Sequence, residues 1–416
     1  MRILCLSNGH GEDAIAVQIL SAIQAQNPET SLAALPIVGT GHAYQKLDIP
    51  IIGRTQQMPS GGFVYMDNRQ LMRDLKGGLL QLTWQQYKAV KRWQHREKEK
   101  SLILAVGDIV PLIFAWLSGC QYAFVGTAKS EYYLRDRQGN WLPKTSALEK
   151  WFGSVYLPWE RWLLSRKKCV AVYPRDRLTT EILQTYKIPA VNLGNPMMDG
   201  LEPPESLPQG EAKQTLTFVL LPGSRPPEAL HNWQKILQVV QLLVEKYQNV
   251  DFIAAIAPSL DSAEFLDCLP SFGWQASDSK PCELTFGDPE AFVFQQHKAQ
   301  LVFTQHRYAE SLHYADLAIA MAGTATEQFV GLGKPALTIV GDGPQFTPAF
   351  AEAQTRLLGE SVLLCSSPRA VPEKVDFLLS QPDLLQAIAI NGQERMGQAG
   401  AANRIANHLL AFFQNI

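Results

Sequence analysis

Apolar residues fall into short unbroken runs, separated by longer segments in which they recur every three or four positions. RILCLS (2–7), SLAALPIVG (31–39), SLILAVGD (101–108), QYAFVGT (121–127) and KKCVAVYP (167–174) are runs of the first kind. They read as short buried strands. Between the first two lies GEDAIAVQILSAIQAQ (11–26), with apolar residues at helical spacing after a glycine-rich turn. Buried strands alternating with helices predict a parallel sheet covered on both faces.

The alternation pauses at LGNPMMDGLEPPESLPQGEAKQ (193–214), where prolines and glycines give linker composition. It restarts with TLTFVLLPG (215–223), the helix HNWQKILQVVQLLVEKY (231–247) and VDFIAAIAP (250–258). ADLAIAMAG (315–323), a helix TEQFVGLG (326–333) and KPALTIVGD (334–342) follow, and AANRIANHLLAFF (401–413) is an amphipathic terminal helix. The pattern predicts two successive doubly wound α/β domains, 1–195 and 196–395, with 396–416 as a closing helix. One stretch resembles a membrane span, since no charge stands between Asp108 and Lys129. Pro111, Gly119 and Gly126 interrupt it, so it reads as a short helix PLIFAWLS followed by a strand.

At 416 residues, 46% apolar and 18% charged, the chain is expected to fold as more than one domain. Its six cysteines show no metal-type spacing, and the N-terminus lacks the features of a signal peptide, so a cytoplasmic protein without a metal is expected. The net charge of −2 hides +6 over residues 1–208 and −8 over 209–416. Two basic stretches of the first half carry aromatics, TWQQYKAVKRWQHREKEK (83–100) and PWERWLLSRKK (158–168). With the apolar SGGFVYM (60–66) and LKGGLLQL (75–82), they predict peripheral attachment to a membrane surface through the first domain. The overall acidity argues against a nucleic-acid partner.

Candidate chemistry concentrates at three strand-to-helix junctions, where backbone N–H groups and a positive helix end face an anion. SNGHGEDA (7–14) formally fits a dinucleotide loop with Gly9 and Gly11, but the second strand ends in PIVGTGH without the acid that would hold a ribose. The loop offers His10, Glu12 and Asp13 instead. His10 is the expected general base, with Asp13 as partner or rival. LLPGSRPPEAL (220–230) brings Gly223, Ser224 and Arg225 to a helix start, a phosphate-binding arrangement with a guanidinium clamp. AMAGTATEQF (320–329) places Gly323, Thr324, Ala325 and Thr326 where small side chains leave room for a second phosphate. Glu327 or Gln328 is then positioned for sugar hydroxyls. Two anion sites in one sheet suit a diphosphate. No D-x-D pair, phosphate-loop, serine-hydrolase or zinc-protease motif occurs in the sequence.

LPGSR, the GTAT helix start, the LGNP segment and the closing RMGQAGAANRIANHLL resemble lipid-A-disaccharide synthase and its relatives, above all the group described as related to that enzyme in cyanobacteria. More widely they resemble the two-domain glycosyltransferases of the GT-B fold. The resemblance implies two Rossmann-like domains facing a cleft and a last helix crossing back onto the first domain. It also implies a UDP-sugar in the C-terminal domain and a lipid-linked acceptor at the N-terminal one. The family's G-E-x-S-G-D loop reads NGHGED here, keeping Asp13 and adding His10. Its aspartate motif reads AVGDIVPL, leaving Asp108 as a further candidate base. Its ribose carboxylate corresponds to Glu327 or is replaced by Gln328.

The sequence therefore predicts an inverting, metal-independent glycosyltransferase moving a hexosyl or N-acetylhexosaminyl group from a UDP-sugar to a lipid acceptor at the inner face of the cytoplasmic membrane. UDP diphosphate would be held at Gly223–Arg225 and Thr324–Thr326, and closure near Asn195 would exclude water. A sugar-nucleotide epimerase is the enzymatic alternative, and a non-catalytic UDP-sugar or lipid binding protein the other.

Overall fold

The computed structural model describes the chain apart from residues 57–78, 96–99, 203–214, 278–282, 344–345 and 415–416, and apart from the side chains at 10, 79, 80, 95 and 414. The apolar segment 60–66, most of 75–82 and much of the proline-rich linker thus lie outside the described residues. Two compact units are present, Met1–Asp199 with Gln398–Ile416, and Gly200–Gly397. The expected boundaries after 195 and 395 lie just ahead of these.

The first unit holds a five-stranded sheet in the order β2-β1-β3-β4-β5. Its strands are β1 Arg2–Ser7, β2 Ser31–Pro36, β3 Ser101–Gly107, β4 Gln121–Gly126 and β5 Cys169–Tyr173, all parallel. Each apolar run identified in the sequence became one of them. Side chains of both faces are buried, as a sheet sandwiched by helices requires. The uncharged stretch after Asp108 splits into the helix Ile109–Ser118 and β4, because Gly119 adopts a left-handed φ of 81° that ends the helix. Among the described residues no helix is long and apolar enough to cross a membrane. The Ala401–Gln414 helix packs Ile405, Ala406 and Leu409 into this unit's core. Its start is held by Asp199, whose carboxylate accepts from the N–H groups of Gly400, Ala401 and Ala402 at 2.7, 2.9 and 2.6 Å.

The second unit holds an eight-stranded sheet, β13-β12-β11-β6-β7-β10-β9-β8. β6 Leu216–Leu221, β7 Val250–Ala255, β10 Ala299–Thr304, β11 Leu317–Ala320, β12 Ala336–Ile339 and β13 Val362–Cys365 run parallel. β8 Gln275–Ala276 and β9 Phe292–Gln296 add an antiparallel edge. The sequence reading predicts parallel strands only. The edge escapes it because β8 is two exposed residues and β9 is half polar, so neither forms an apolar run.

Candidate functional site

In the second unit, the chain leaves β6 to form β7 on one side, while β11 returns to pair with β6 on the other. This is the switch point at which open α/β sheets bind ligands, beyond the carboxyl ends of the strands. The two loops that flank it are 222–227 and 321–323, the two anion-type junctions recognised in the sequence. Pairing of Ala320 with Leu221 sets them side by side. Gly223 has φ +100°, and a Cβ there would stand 3.3 Å from the Met321 carbonyl oxygen, so conformation and space both demand glycine.

Side chains from behind fix both loops. Asn232, buried on the Glu228–Lys246 helix, donates to the carbonyls of Pro222 (3.0 Å) and Met321 (3.3 Å) and so ties one loop to the other. Gln354 donates to the Ala322 carbonyl (3.0 Å), as does the buried Thr326 hydroxyl (2.6 Å). Gly323 supplies no side-chain cap to the Thr324–Gly331 helix, so the first-turn N–H groups of Thr324 and Ala325 lack intrahelical partners. Ser224 and Arg225 are exposed beside them. Glu327 is almost fully buried, and Gln328 accepts from the Tyr308 hydroxyl at 2.7 Å. Burial pushes the Tyr308 phenol up, keeping it a donor.

Sequence reasoning missed Asn232 and Gln354. Asn232 did carry a signal: it stands with Ala229, Trp233, Ile236, Leu237 and Val240 on one apolar stripe, where an amide is buried only with partners.

The first unit repeats the switch point between β1 and β3, with different chemistry. Gly9 precedes the His10–Gln26 helix at φ 136° and again offers no cap. His10 opens that helix; its side chain lies outside the described residues. Asp13 is turned into the core, 2% exposed, and accepts from Ser7 Oγ at 2.5 Å, while Ser7 accepts from Tyr44. The expected pairing of His10 with Asp13 thus involves a carboxylate already committed within the fold.

Glu12 and Asp108 are the half-buried carboxylates of this end. Asp108 caps the Ile109–Ser118 helix through Val110 N (2.8 Å) and accepts from Asn8 Nδ2 at 2.9 Å, a bond that spans the switch point. Glu12 accepts from Thr127 Oγ1 at 3.4 Å. Gly107 makes room for it, since a Cβ there would lie 3.1 Å from Glu12 Cγ. Burial raises the Glu12 carboxyl above its ordinary range, and the negative charges of Asp108 and Asp13 add to this. Burial likewise raises Asp108, against the pull of the Val110 N–H, Asn8 and Lys129. Lys129 itself pairs with Glu160 at 2.5 Å. Asn195, expected near a substrate, is buried and accepts from Met197 N at 3.1 Å, capping a short turn.

No family model matches the chain, and no curated protein matches it either. Solved structures do. The calicheamicin glycosyltransferase CalG4 aligns with a TM-score of 0.60 at 14% identity, covering 100% of this chain and 98% of that one. MurG from Acinetobacter baumannii aligns at 0.55 with 13% identity, covering 99% of each. The chain has the GT-B fold. UDP-GlcNAc 2-epimerase from Neisseria meningitidis, solved with UDP-GlcNAc, shares it at 0.55 and 13% identity, over 99% of this chain and 100% of that one. At such identities the likeness speaks for the fold alone, and it places no individual residue.

Proposed function

We propose that the protein is an inverting, metal-independent glycosyltransferase that moves a hexosyl or N-acetylhexosaminyl group from a UDP-sugar to a lipid acceptor at a membrane surface, in the manner of lipid-A-disaccharide synthase and its relatives. The observation that carries the reading is the pair of loops at the β6/β11 switch point, tied together by Asn232. Backbone N–H groups of Gly223, Thr324 and Ala325, the Ser224 hydroxyl and the Arg225 guanidinium would hold the diphosphate and stabilise it as it leaves. Glu327 and Gln328 would meet the sugar hydroxyls.

The acceptor hydroxyl must lose a proton as its bond to the anomeric carbon forms. Glu12 and Asp108 suit that work: both border the β1/β3 switch point, and burial makes each a stronger base than a solvated carboxylate. His10→Ala is the control, and a loss equal to that of Glu12→Gln would give the role to His10.

The decisive experiment has two halves. Calorimetry should detect UDP binding that Arg225→Ala weakens. A panel of UDP-sugars with lipid extracts should then give a glycolipid product and free UDP. Interconversion of a UDP-sugar without any acceptor would instead mark an epimerase, the activity named for several structures of this fold. UDP-sugar binding without turnover would mark a binding protein.

A further inference from the structure

The first unit carries an exposed aromatic strip that its core does not explain. The Ala147–Phe152 helix has no buried residue, and it turns Leu148 (61% exposed) and Trp151 (77%) to solvent. On the neighbouring Pro158–Leu164 helix, Leu163 and Leu164 enter the core while Trp159 (51%) and Trp162 (46%) face out. Two ring clusters meet on this helix, where Trp159 and Trp162 stand three residues apart and both face out. Trp151 packs on Phe152 at 5.3 Å between ring centres, Phe152 meets Trp159 edge-on at 6.4 Å, and Trp162 meets Trp116 of the Ile109–Ser118 helix at 5.4 Å. Ile113 and Leu117 extend it along that helix. A contiguous apolar patch of this kind marks an interaction surface, not ordinary scatter.

Charge identifies the partner. Lys144, Lys150, Lys167 and Lys168 are exposed in the same segments, and the Arg166 guanidinium lies 4.3 Å from the Trp162 ring centre. The acids there are otherwise engaged: Glu160 is buried against Lys129, and Glu149 accepts from Ser146 N at 2.8 Å. Tryptophans beside lysine and arginine are the composition of a bilayer interface, where indole sits among headgroups and cations meet anionic lipid. Position agrees. Trp159 is next to Glu160, which pairs with Lys129 just beyond the carboxyl end of β4, on the edge of the sheet that also carries Glu12 and Asp108.

We infer that the strip formed by Trp151, Trp159, Trp162 and Trp116 is the membrane-docking surface, inserting into an anionic bilayer and presenting a lipid headgroup to the Glu12–Asp108 end of the sheet. The inference rests on the lipid-acceptor reading for its occupant. The surface itself rests on exposure, ring contacts and charge.

The test is flotation of the full chain with phosphatidylcholine vesicles, with and without phosphatidylglycerol, at low and high salt. The protein should float with anionic vesicles, more weakly in salt, and its tryptophan emission should shift to the blue. Trp151→Glu/Trp159→Glu should partition at least about tenfold less, and Lys150→Glu/Lys167→Glu/Lys168→Glu should lose most of its preference for phosphatidylglycerol. Three results would each overturn the inference: no flotation at low salt, unaltered flotation of the double tryptophan variant, or lipid-free self-association that this variant abolishes. UDP titration of the same preparations separates the two proposals. Flotation without UDP binding would leave the surface and remove the transferase, and UDP binding without flotation would do the reverse.

Discussion

The two units place a switch point at the same topological position and equip it with opposite chemistry. Beyond β6 and β11 stand backbone N–H groups, hydroxyls and a guanidinium, with carbonyls tied back by Asn232, Gln354 and Thr326. Beyond β1 and β3 stand carboxylates, Glu12 and Asp108, whose protonation burial favours. A glycine with positive φ serves both ends: Gly223 lets its loop pass the Met321 carbonyl, and Gly107 clears space for the Glu12 side chain. The fold supplies location, and the side chains that follow each strand decide its chemistry; on the proposed function one location would hold an anion and the other would accept a proton.

The comparison breaks first on turnover. Glu12→Gln and Asp108→Asn should each lower transfer by about 10²–10⁴-fold, the usual worth of a general base, with UDP affinity unchanged. Steady-state rates beside calorimetry would show it, and a variant that lost UDP affinity instead would erase the division of labour between the units. Arg225→Ala should do the converse, weakening UDP by about 1.5–3 kcal/mol, or roughly 10–150-fold, for one charge-assisted contact. Unchanged affinity in the folded variant would remove the anion site from the second unit.

Smaller effects sharpen the picture. Asp199→Ala removes a carboxylate that accepts from Gly400, Ala401 and Ala402, and should destabilise the first unit by about 1–2 kcal/mol. Asp199→Asn should restore part of that in a urea titration. The smallest effect concerns pH. Because Glu12 has a folded-state pKa above its unfolded one, its burial penalty is fully present above the folded value and is relieved as pH falls through it. Glu12→Gln should therefore melt slightly higher than the wild type at neutral pH, and the gap should close in acid. A melting difference that grew on acidification would mean that the charged carboxylate is stabilised by its surroundings.

Much of this was legible along the chain. RILCLS, SLILAVGD and LLPGSR are buried strands because nothing polar interrupts them, and the glycines after them can only be turns. Gly223 to Arg225 and Gly323 to Thr326 were recognisable as strand-to-helix loops because local turn chemistry decides that property. Their adjacency was not local: it comes from β11 pairing with β6 across about a hundred residues of chain. Asn232 likewise reads as a polar intrusion on an apolar stripe until the sheet brings two carbonyls to it. Asp13 and Glu12 are neighbours in sequence, yet the first turn of one helix sends Asp13 to Ser7 in the core and Glu12 to Thr127 at the rim. The tryptophans of 158–168 could be core or surface, and only the packing of Leu163 and Leu164 turned Trp159 and Trp162 outward. Sequence by itself determined the buried strands, the helices between them and the residue types of each loop, because periodicity and turn chemistry act over a few residues. Only tertiary structure decided which loops meet and which side chain of a turn faces solvent, because those depend on strand order and on what the opposite face of each helix must bury.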